Sequence, residues 1–397
     1  MATSVPAQGG SGSPDINTMR AQNMAARQLI VANSVDLIQQ VNSQTVTNYI
    51  AGQAYPINIP VRPVGLLKRF WLEIIATVAQ GASETQTKTA FGGCNILSNL
   101  TLTDLNNQVR INTTGWHLHF LQSYRRQFAY GAAIANSDPC SIGANWGLMD
   151  IPSPLTTSQT LRFYYEVPVA YSDNDLTGSI WVNVVNASMQ LQITINPNFF
   201  VANTADPTLG VYQSSSTQLG TISSFQVNVY QNSLDQLPVN PQTNTVILPP
   251  LDLEYVYLLN STNSNGLSVG LDQSLPYANW RNFLSTTLVY DNAGVENLGT
   301  DVNYIALQSA NFTNFFKYGP QMLSLINRLK INDDLPPGVY YIDTRMKPIN
   351  TLQYGNMQLL FNPSVVSGSS TSTNILIGYE SLALQGVMNQ AGSIFQS

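Results

Sequence analysis

The sequence contains one pair of residues with obvious metal chemistry, the two histidines of the segment Gly115–Phe120 (GWHLHF). On a β-strand, His117 and His119 point to one face and the apolar residues between them to the other. Two imidazoles on one face can begin a zinc or copper site, with a third ligand supplied by a carboxylate or thiol elsewhere. Structural histidines beside an aromatic core strand are commoner, so metal binding stays an open alternative to a structural role.

A second candidate is the string Gly266–Gly270 (GLSVG), which matches the nucleophile elbow of hydrolases. That fold places a histidine after the serine in the chain, and both histidines of this sequence precede it. Strand and turn patterns surround the string, with no helix-forming run after it. We interpret it as a glycine turn.

The segment Ser172–Gly178 (SDNDLTG) resembles the beginning of a calcium loop, but the twelfth position, where the loop needs glutamate, is Val184. A capping turn is the better interpretation. The pair Arg125 and Arg126 could bind a partner's acids, although solvated or ion-paired arginines are the default. No phosphate-loop, dinucleotide or HExxH string is present. We therefore predict no catalytic, cofactor-binding or metal-binding residues, and no enzyme.

The composition favours a building block over a lone soluble monomer. Only 10% of the 397 residues are charged, against roughly 25% in typical soluble proteins. Burying ions at interfaces costs desolvation energy, so low charge fits a surface covered by neighbours. A secreted glycan-binding or adhesive β protein is the alternative with a similar composition.

Charge and cysteine content exclude other classes. The net charge is −6, so we expect no direct nucleic-acid binding. Cys94 and Cys140 are the only cysteines, which is not a disulfide framework; free thiols are expected, and a bridge between them stays open. Neither a secretory signal nor a bilayer-spanning apolar run is present, which predicts a soluble protein that is not exported by that route.

The N-terminal region reads as a flexible arm followed by a helix. Residues 1–14 are rich in Gly, Ser and Pro, and residues 15–41 have a helical apolar period that predicts one amphipathic helix. Arg20 and Arg27 fall inside its apolar face. Arginines in such a position can pack their aliphatic chains on an apolar surface while their guanidinium groups bind anions. Contact with a membrane or partner, and packing on the protein's own domains, are equally open.

From residue 45 onward the pattern changes to short β-like runs separated by Pro, Gly, Asn or Asp, which is typical of sandwiches and jelly rolls. The segment Asp235–Asn244 is the best linker candidate, and we place a domain boundary near residue 240. The predicted organisation is an arm and helix over 1–44, a first jelly roll over 45–240 and a second with a C-terminal tail over 241–397. A further helix is predicted at Pro320–Lys330.

The two halves resemble each other. The first contains a Tyr-Tyr strand at Arg162–Pro168 and a Met-Gln-Leu strand at Met189–Pro197, and the second contains counterparts at Gly338–Ile342 and Met357–Pro363. An echo at this spacing predicts two related β domains in tandem.

At several of these strings the sequence resembles the major capsid protein of tectiviruses, the tailless icosahedral phages with an internal membrane. The matching segments occur in the family's order and span most of the chain, although the loops and the residues before 28 match poorly. The segments are Gly115–Phe120, Pro168–Ser172, Asp175–Gly178, Tyr230–Val239, Gly299–Tyr304, Gly338–Tyr341, Lys347–Ile349 and Thr351–Asn356.

The resemblance implies a mainly β protein with a double jelly roll, that is, two tandem eight-stranded β-sandwiches, and an N-terminal helix. It implies a homotrimer of pseudo-hexagonal outline that tiles an icosahedral shell with neighbouring capsid trimers and meets minor capsid and vertex proteins. The N-terminal helix, with Arg20 and Arg27, would face the internal viral membrane. Such a protein is a virion component assembled in the host cytoplasm, without cofactors.

The rival interpretation is a tandem β-sandwich that binds glycans or receptors. Sugars stack on exposed aromatic rings, and Trp146 and Trp280 are the candidates because they lie in loop-like segments. Trp71, Trp116 and Trp181 lie in strand-like runs and are expected to be buried.

Overall fold

The structure is a computed structural model. It describes residues 16–47, 49–50, 52–78, 87–88, 94, 96–130, 149–150, 159–172, 176–183, 189–197, 199, 210–213, 222–247, 255–292, 300–309, 312–331, 335, 338–354, 356–367 and 373–384. Within these residues, the helices are α1 (Ile16–Asn33), α2 (Gly115–Tyr130), α3 (Pro320–Ile331) and α4 (Thr351–Tyr354).

Strands make up most of the described chain. In order they are β1 (Val35–Val46), β2 (Tyr55–Pro60), β3 (Leu66–Val78), β4 (Thr87–Lys88), β5 (Leu97–Thr103), β6 (Val109–Thr113), β7 (Met149–Asp150), β8 (Gln159–Pro168), β9 (Ile180–Trp181), β10 (Gln190–Ile195), β11 (Tyr212–Gln213), β12 (Ile222–Asp235), β13 (Val239–Asn240), β14 (Thr245–Val246), β15 (Tyr255–Asn265), β16 (Gln273–Pro276), β17 (Arg281–Asn292), β18 (Val302–Ser309), β19 (Phe312–Tyr318), β20 (Val339–Asp343), β21 (Ile349–Asn350), β22 (Met357–Pro363) and β23 (Thr373–Leu384).

Each half of the chain forms a two-sheet sandwich, and the strand order is the same in both. In the first half, the order β1-β12-β3-β8 lies in one sheet and β2-β10-β5-β6 in another; in the second half, the corresponding orders are β15-β23-β17-β20 and β16-β22-β18-β19. Neighbours within these orders pair antiparallel. We call the two sandwiches the first roll and the second roll. The predicted double jelly roll is confirmed.

Alternation along the strands explains why these sequences form sandwiches. In β3, Phe70, Leu72 and Ile74 are buried in the core, while Trp71 and Glu73 on the opposite face are only half-buried. A strand with side chains of period two buries one face in a sandwich and leaves the other for solvent or a further layer.

A shared β-bulge fixes how the two rolls correspond, residue by residue. Lys68 is skipped in the pairing of β3 with β12, and Leu284 is skipped in the pairing of β17 with β23. The partners beside the bulge, Asn232 and Glu380, therefore occupy equivalent positions. Counting from this point, Tyr165 corresponds to Tyr340, so the Tyr-Tyr strings are offset by one residue.

The Met-Gln-Leu strings correspond without any offset. Gln190 is the partner of Pro60, and Gln358 is the partner of Pro276. The strand order and these two registers show that the predicted echo is a true structural repeat.

The two rolls are joined by one strand pair. β6 of the first roll pairs with β15 of the second in parallel, with Ile111 opposite Leu259 and Asn112 opposite Asn260. This pair makes a single nine-stranded sheet that runs across both halves. The core of the first roll continues into outward-facing residues of the second, including Tyr257, Leu284 and Tyr341.

The predicted helix over residues 15–41 is wrong in its C-terminal part. The helix ends at Asn33, and residues 35–46 form β1, which pairs with β12. Near the end of the helix, the Asn33 side chain donates to Leu29 O at 2.8 Å and the Ser34 hydroxyl to Ile30 O at 2.6 Å. These bonds satisfy carbonyls that have no partner at a helix end. β1 therefore adds residues 35–44, which we had assigned to the arm, to the first roll.

The predicted strand at Gly115–Phe120 is also wrong, because these residues begin the helix α2. Residues 115–124 are all buried. A helix enclosed on all sides has no polar face, so its sequence carries no helical period to recognise.

Two other predictions are confirmed. The helix predicted at Pro320–Lys330 is α3. Gly266–Gly270 is a turn between β15 and β16, in which both glycines have positive φ. The segment proposed as a linker contributes to the β13–β14 hairpin, and the division near residue 240 stays a prediction.

Candidate assembly surfaces

Both histidines lie inside the protein, on the helix α2. The Nδ1 atom of His117 is 2.7 Å from the hydroxyl of Thr113, and His119 packs edge-on against the ring of Phe120. Burial lowers the pKa of each imidazole to about 4, so both are neutral at pH 7. Within the described residues, no group of three His, Cys, Asp or Glu side chains is placed to hold a metal ion. The geometry supports the structural role.

Helix α2 is held between the rolls by a buried charge pair. Arg125 bonds to the carboxylate of Glu380 on β23, and the Tyr257 hydroxyl donates to the same carboxylate oxygen at 2.9 Å. The Ser285 hydroxyl donates to the other oxygen at 2.6 Å. Burial alone would raise the pKa of Glu380, but Arg125 and these hydrogen bonds lower it, so the carboxylate is ionised.

Aromatic stacking extends the same contact. The rings of Tyr124 and Tyr341 are stacked with centroids 3.6 Å apart, and the Tyr124 hydroxyl donates to Asp343 at 3.3 Å. Asp343 is also held by Arg345 at 2.9 Å. Arg125, which the sequence singled out as a possible ligand for a partner's acids, is therefore used within the chain. The side chain of Arg126 lies outside the described residues.

The N-terminal helix is anchored to the first roll at its C-terminal end. Ile30 is fully buried with Leu66, Leu176 and Leu234. The guanidinium of half-buried Arg27 donates to the Thr177 hydroxyl at 3.2 Å. Arg20 lies on the same helix, and its side chain is outside the described residues.

The tryptophans agree only in part with expectation. Trp116 is buried and Trp280 is exposed as expected, whereas Trp71 and Trp181 are half-buried because they lie on the outer side of their strands; Trp146 is not described. Cys94 is buried, and Cys140 is not described. Asp173–Asp175 of the supposed calcium loop are likewise not described. Among the described helices, none is long and apolar enough to cross a bilayer.

Two exposed apolar surfaces were not recognised from the sequence. One is a stripe on α3, made by Met322, Leu325 and Leu329. The other is the outer side of β1 at Ile38, which is 59% exposed; Val35, on the opposite face of the strand, is also exposed. In a globular protein, contiguous exposed apolar groups mark sites of contact with other molecules. The helical spacing of the first set was visible in the sequence, but its outward orientation was not.

A double jelly roll with exposed apolar edges, whose two rolls are held together by a buried charge pair, has the architecture of a structural subunit that contacts other molecules through its surface. The chain belongs to the P3 major capsid protein family of tectiviruses. The family's N-terminal domain, "P3 major capsid protein N-terminal", matches residues 16–237, and "P3 major capsid protein C-terminal" matches residues 254–395.

Relatives agree with this assignment. The chain is 35% identical over 381 residues to major capsid protein P3 of Enterobacteria phage PRD1, covering 94% of both chains. Its fold is similar to the crystal structure of the STIV MCP, with a TM-score of 0.60 at 12% identity, covering 88% of this chain and 97% of that one. It is also similar to PBCV-1 VP54 as fitted into the virophage Sputnik, with a TM-score of 0.57 at 11% identity, covering 88% and 94%. As a phage capsid protein, the chain assembles with copies of itself into the shell of a virion.

Proposed function

We propose that this coat subunit assembles as a homotrimer of pseudo-hexagonal outline, and that the trimers tile an icosahedral shell over an internal membrane. The observation that carries the proposal is the joint between β6 and β15, which holds two rolls of like topology side by side. Three such chains around an axis supply six rolls, and six like units approximate a hexagon. Closed rotational symmetry is the usual outcome when one surface of a chain fits another surface of the same chain.

The N-terminal helix is the part of the chain proposed to face the membrane. Arg20 and Arg27 lie on it, and the helix joins the first roll through Ile30. Arginine heads beside an apolar surface suit the headgroup region of a bilayer. A shell that lines lipid does not touch the genome directly, which agrees with a net charge of −6. Minor capsid and vertex proteins are further proposed partners, and assembly is proposed in the host cytoplasm.

The experiment is a mass measurement of the purified full chain by size-exclusion chromatography with light scattering at neutral pH, followed by negative-stain imaging. We expect three times the chain mass of 43.4 kDa and threefold particles with a hexagonal outline. A stable monomer across micromolar concentrations would overturn the proposal.

A further inference from the structure

The contact between the two rolls within one chain is a template for how the exposed surfaces on α3 and β1 could contact a second copy. The joint has two parts, the parallel pairing of β6 with β15 and the helix α2 that follows β6 and packs on the second roll. At its centre, the ring of His117 lies directly over Gly378 of β23. Because the rolls are repeats, each strand and helix of this joint has a counterpart elsewhere in the chain. The central contact differs, since Tyr230 occupies the position of Gly378 and Met322 that of His117.

The second roll repeats the segment β6–α2 as β19–α3. Both helices begin two residues after their strand ends, so Gly115 corresponds to Pro320. This register aligns Leu118 with Leu323 and Gln122 with Asn327. All four of these side chains are buried, which shows that the two helices lie on their own rolls in the same way.

The opposite faces of the two helices carry large side chains at the same positions, but only that of α2 is covered. In α2, His117, Phe120 and Tyr124 are buried between the rolls. Their counterparts in α3 are exposed, with Met322 at 50%, Leu325 at 49% and Leu329 at 77%. The second roll covers this face of α2, whereas the equivalent apolar face of α3 is left without a roll to cover it within the described residues.

The strand that pairs with β6 has an uncovered counterpart as well. The bulge register aligns β15 with β1, so that Leu259 corresponds to Ile38. Leu259 is buried in the core that the first roll shares, whereas Ile38 is 59% exposed. Within the described residues, the outer edges of β1 and β19 pair with no strand. Open strand edges of this kind are ready to pair with another chain.

We infer that β19 of one copy pairs with β1 of a second copy, as β6 pairs with β15 within the chain. The helix α3 then lies on the outer face of the second copy's first roll, as α2 lies on β23 and β20 of the second roll. This interface rests on the proposed trimer and names the surface that forms it. The internal pairs of Ile111 with Leu259 and Asn112 with Asn260 have the intermolecular equivalents Phe316 with Ile38 and Lys317 with Gln39. Each copy presents two different surfaces, and in the proposed trimer three joints within chains alternate with three similar joints between chains around a closed ring.

Charge supports the same arrangement. Lys330 of α3 occupies the position of Arg125 in α2, and Asp36 of β1 occupies the position of Tyr257 in β15. The last turn of α3 is basic through Arg328 and Lys330, while Asp235 lies beside the start of β1 as the partner of Val35. Within the chain, Asp36 pairs with Lys68 at 2.9 Å and Lys330 lies 3.8 Å from Asp343. Bringing the basic end of α3 to the start of β1 extends these pairs into an alternating charge network, which favours the correct register.

A cysteine pair tests the predicted register in the full chain. We would combine Gln39→Cys with Lys317→Cys in a Cys140→Ser background, because neighbouring strands bring Cα atoms within disulfide reach. After mild oxidation, we expect covalent dimers and trimers on a non-reducing gel from the double variant only. Gln44→Cys with Lys317→Cys is the register control and should stay uncrosslinked. Dimers from Gln39→Cys alone would indicate a twofold contact and overturn the inference.

A second pair of variants tests the helix. Leu325→Asp with Leu329→Asp should give folded monomers by light scattering, with unchanged far-ultraviolet circular dichroism. Met346→Asp, at another exposed apolar position, should stay trimeric. If the unaltered chain is trimeric but the α3 variant remains trimeric and the cysteine pair does not crosslink, this interface is wrong and the trimer stands. If the unaltered chain is monomeric, the proposed trimer itself fails.

Discussion

Gly378 lies against the imidazole of His117 so closely that a Cβ atom on this glycine would be 2.2 Å from Cδ2 of the ring. Nothing larger than hydrogen fits at this position of β23 while α2 stays in place. This close contact packs the strand β23 of the second roll against the helix α2 of the first roll.

We expect Gly378→Ala to loosen the joint between the rolls. The added methyl group has to displace the helix or the strand, and overpacking of this kind costs about 1–3 kcal/mol. Urea unfolding should show a lower midpoint. Gly319→Ala is the matched control, because its nearest atoms beyond the chain neighbours would be 3.7 Å away. Equal stability of the two variants would contradict the tight contact.

Acidification should destabilise the fold through the two buried histidines. Their pKa is about 4 in the folded chain and about 6.5 in the unfolded chain. Below pH 6.5 the unfolded chain binds protons that the folded chain does not, so stability falls as pH decreases and levels off below pH 4. The expected slope is roughly 1.4 kcal/mol per pH unit for each histidine.

The measurement is the free energy of unfolding at pH 7 and pH 5, at fixed protein concentration. Glu380 and Arg125 face His117 with opposite effects on its pKa, so their charges partly offset each other. His119→Gln should reduce the pH dependence by about half, and a double histidine variant should remove most of it. An unchanged slope in the double variant would assign the acid sensitivity to other groups.

Removing one partner of the buried charge pair should cost more than removing both. Glu380→Leu leaves Arg125 buried without its carboxylate, for an expected loss of about 3–5 kcal/mol. Replacing both residues with apolar ones, Arg125→Met with Glu380→Leu, should restore a large part of that loss. A double-mutant cycle on unfolding free energies measures the coupling. Additive effects would show that the pair is energetically independent.

The N-terminal helix provides a prediction about lipid. Arg27→Glu should weaken binding of the full chain to vesicles that contain anionic lipid, because charge attraction near the surface is worth about 1 kcal/mol per basic residue. The equivalent change at exposed Lys347, far from α1 in the sequence, should leave binding unaltered. Vesicle co-sedimentation at low and physiological salt distinguishes the two. The same weakening in both variants would point to net charge alone.

The repeat made much of the architecture predictable from sequence. Strands such as β3 carry alternating or continuous apolar runs. The helical apolar period of α3 also predicted the helix, although its members Met322, Leu325 and Leu329 face away from its own roll. The short strings shared by the halves led to the correct number of rolls. The strings did not give the exact alignment of the two rolls, because the Tyr-Tyr strings are shifted by one residue. The alignment follows from the strand-pairing partners Asn232 and Glu380.

Two elements, α2 and β1, could not be predicted from the sequence, for physical reasons. α2 is enclosed by both rolls, so its residues show no polar face, and His117 and His119 could be placed equally well on a strand. β1 continues the composition of α1, and only pairing with β12 decides between helix and strand there. Propensity gives way to tertiary context in both cases. The surface on α3 required knowing which of its faces the roll already covers.

Only Ser34 separates α1 from β1, and its hydroxyl is bonded back to Ile30. Because the connection is one residue long, a change in the tilt of α1 would move the start of β1, the strand edge at which copies are proposed to meet. If α1 lies on lipid as proposed, the curvature of the bilayer would change the tilt of α1, and this change would reach the neighbouring copies through β1. Lengthening the hinge with glycines would cut that mechanical link while leaving both surfaces in place.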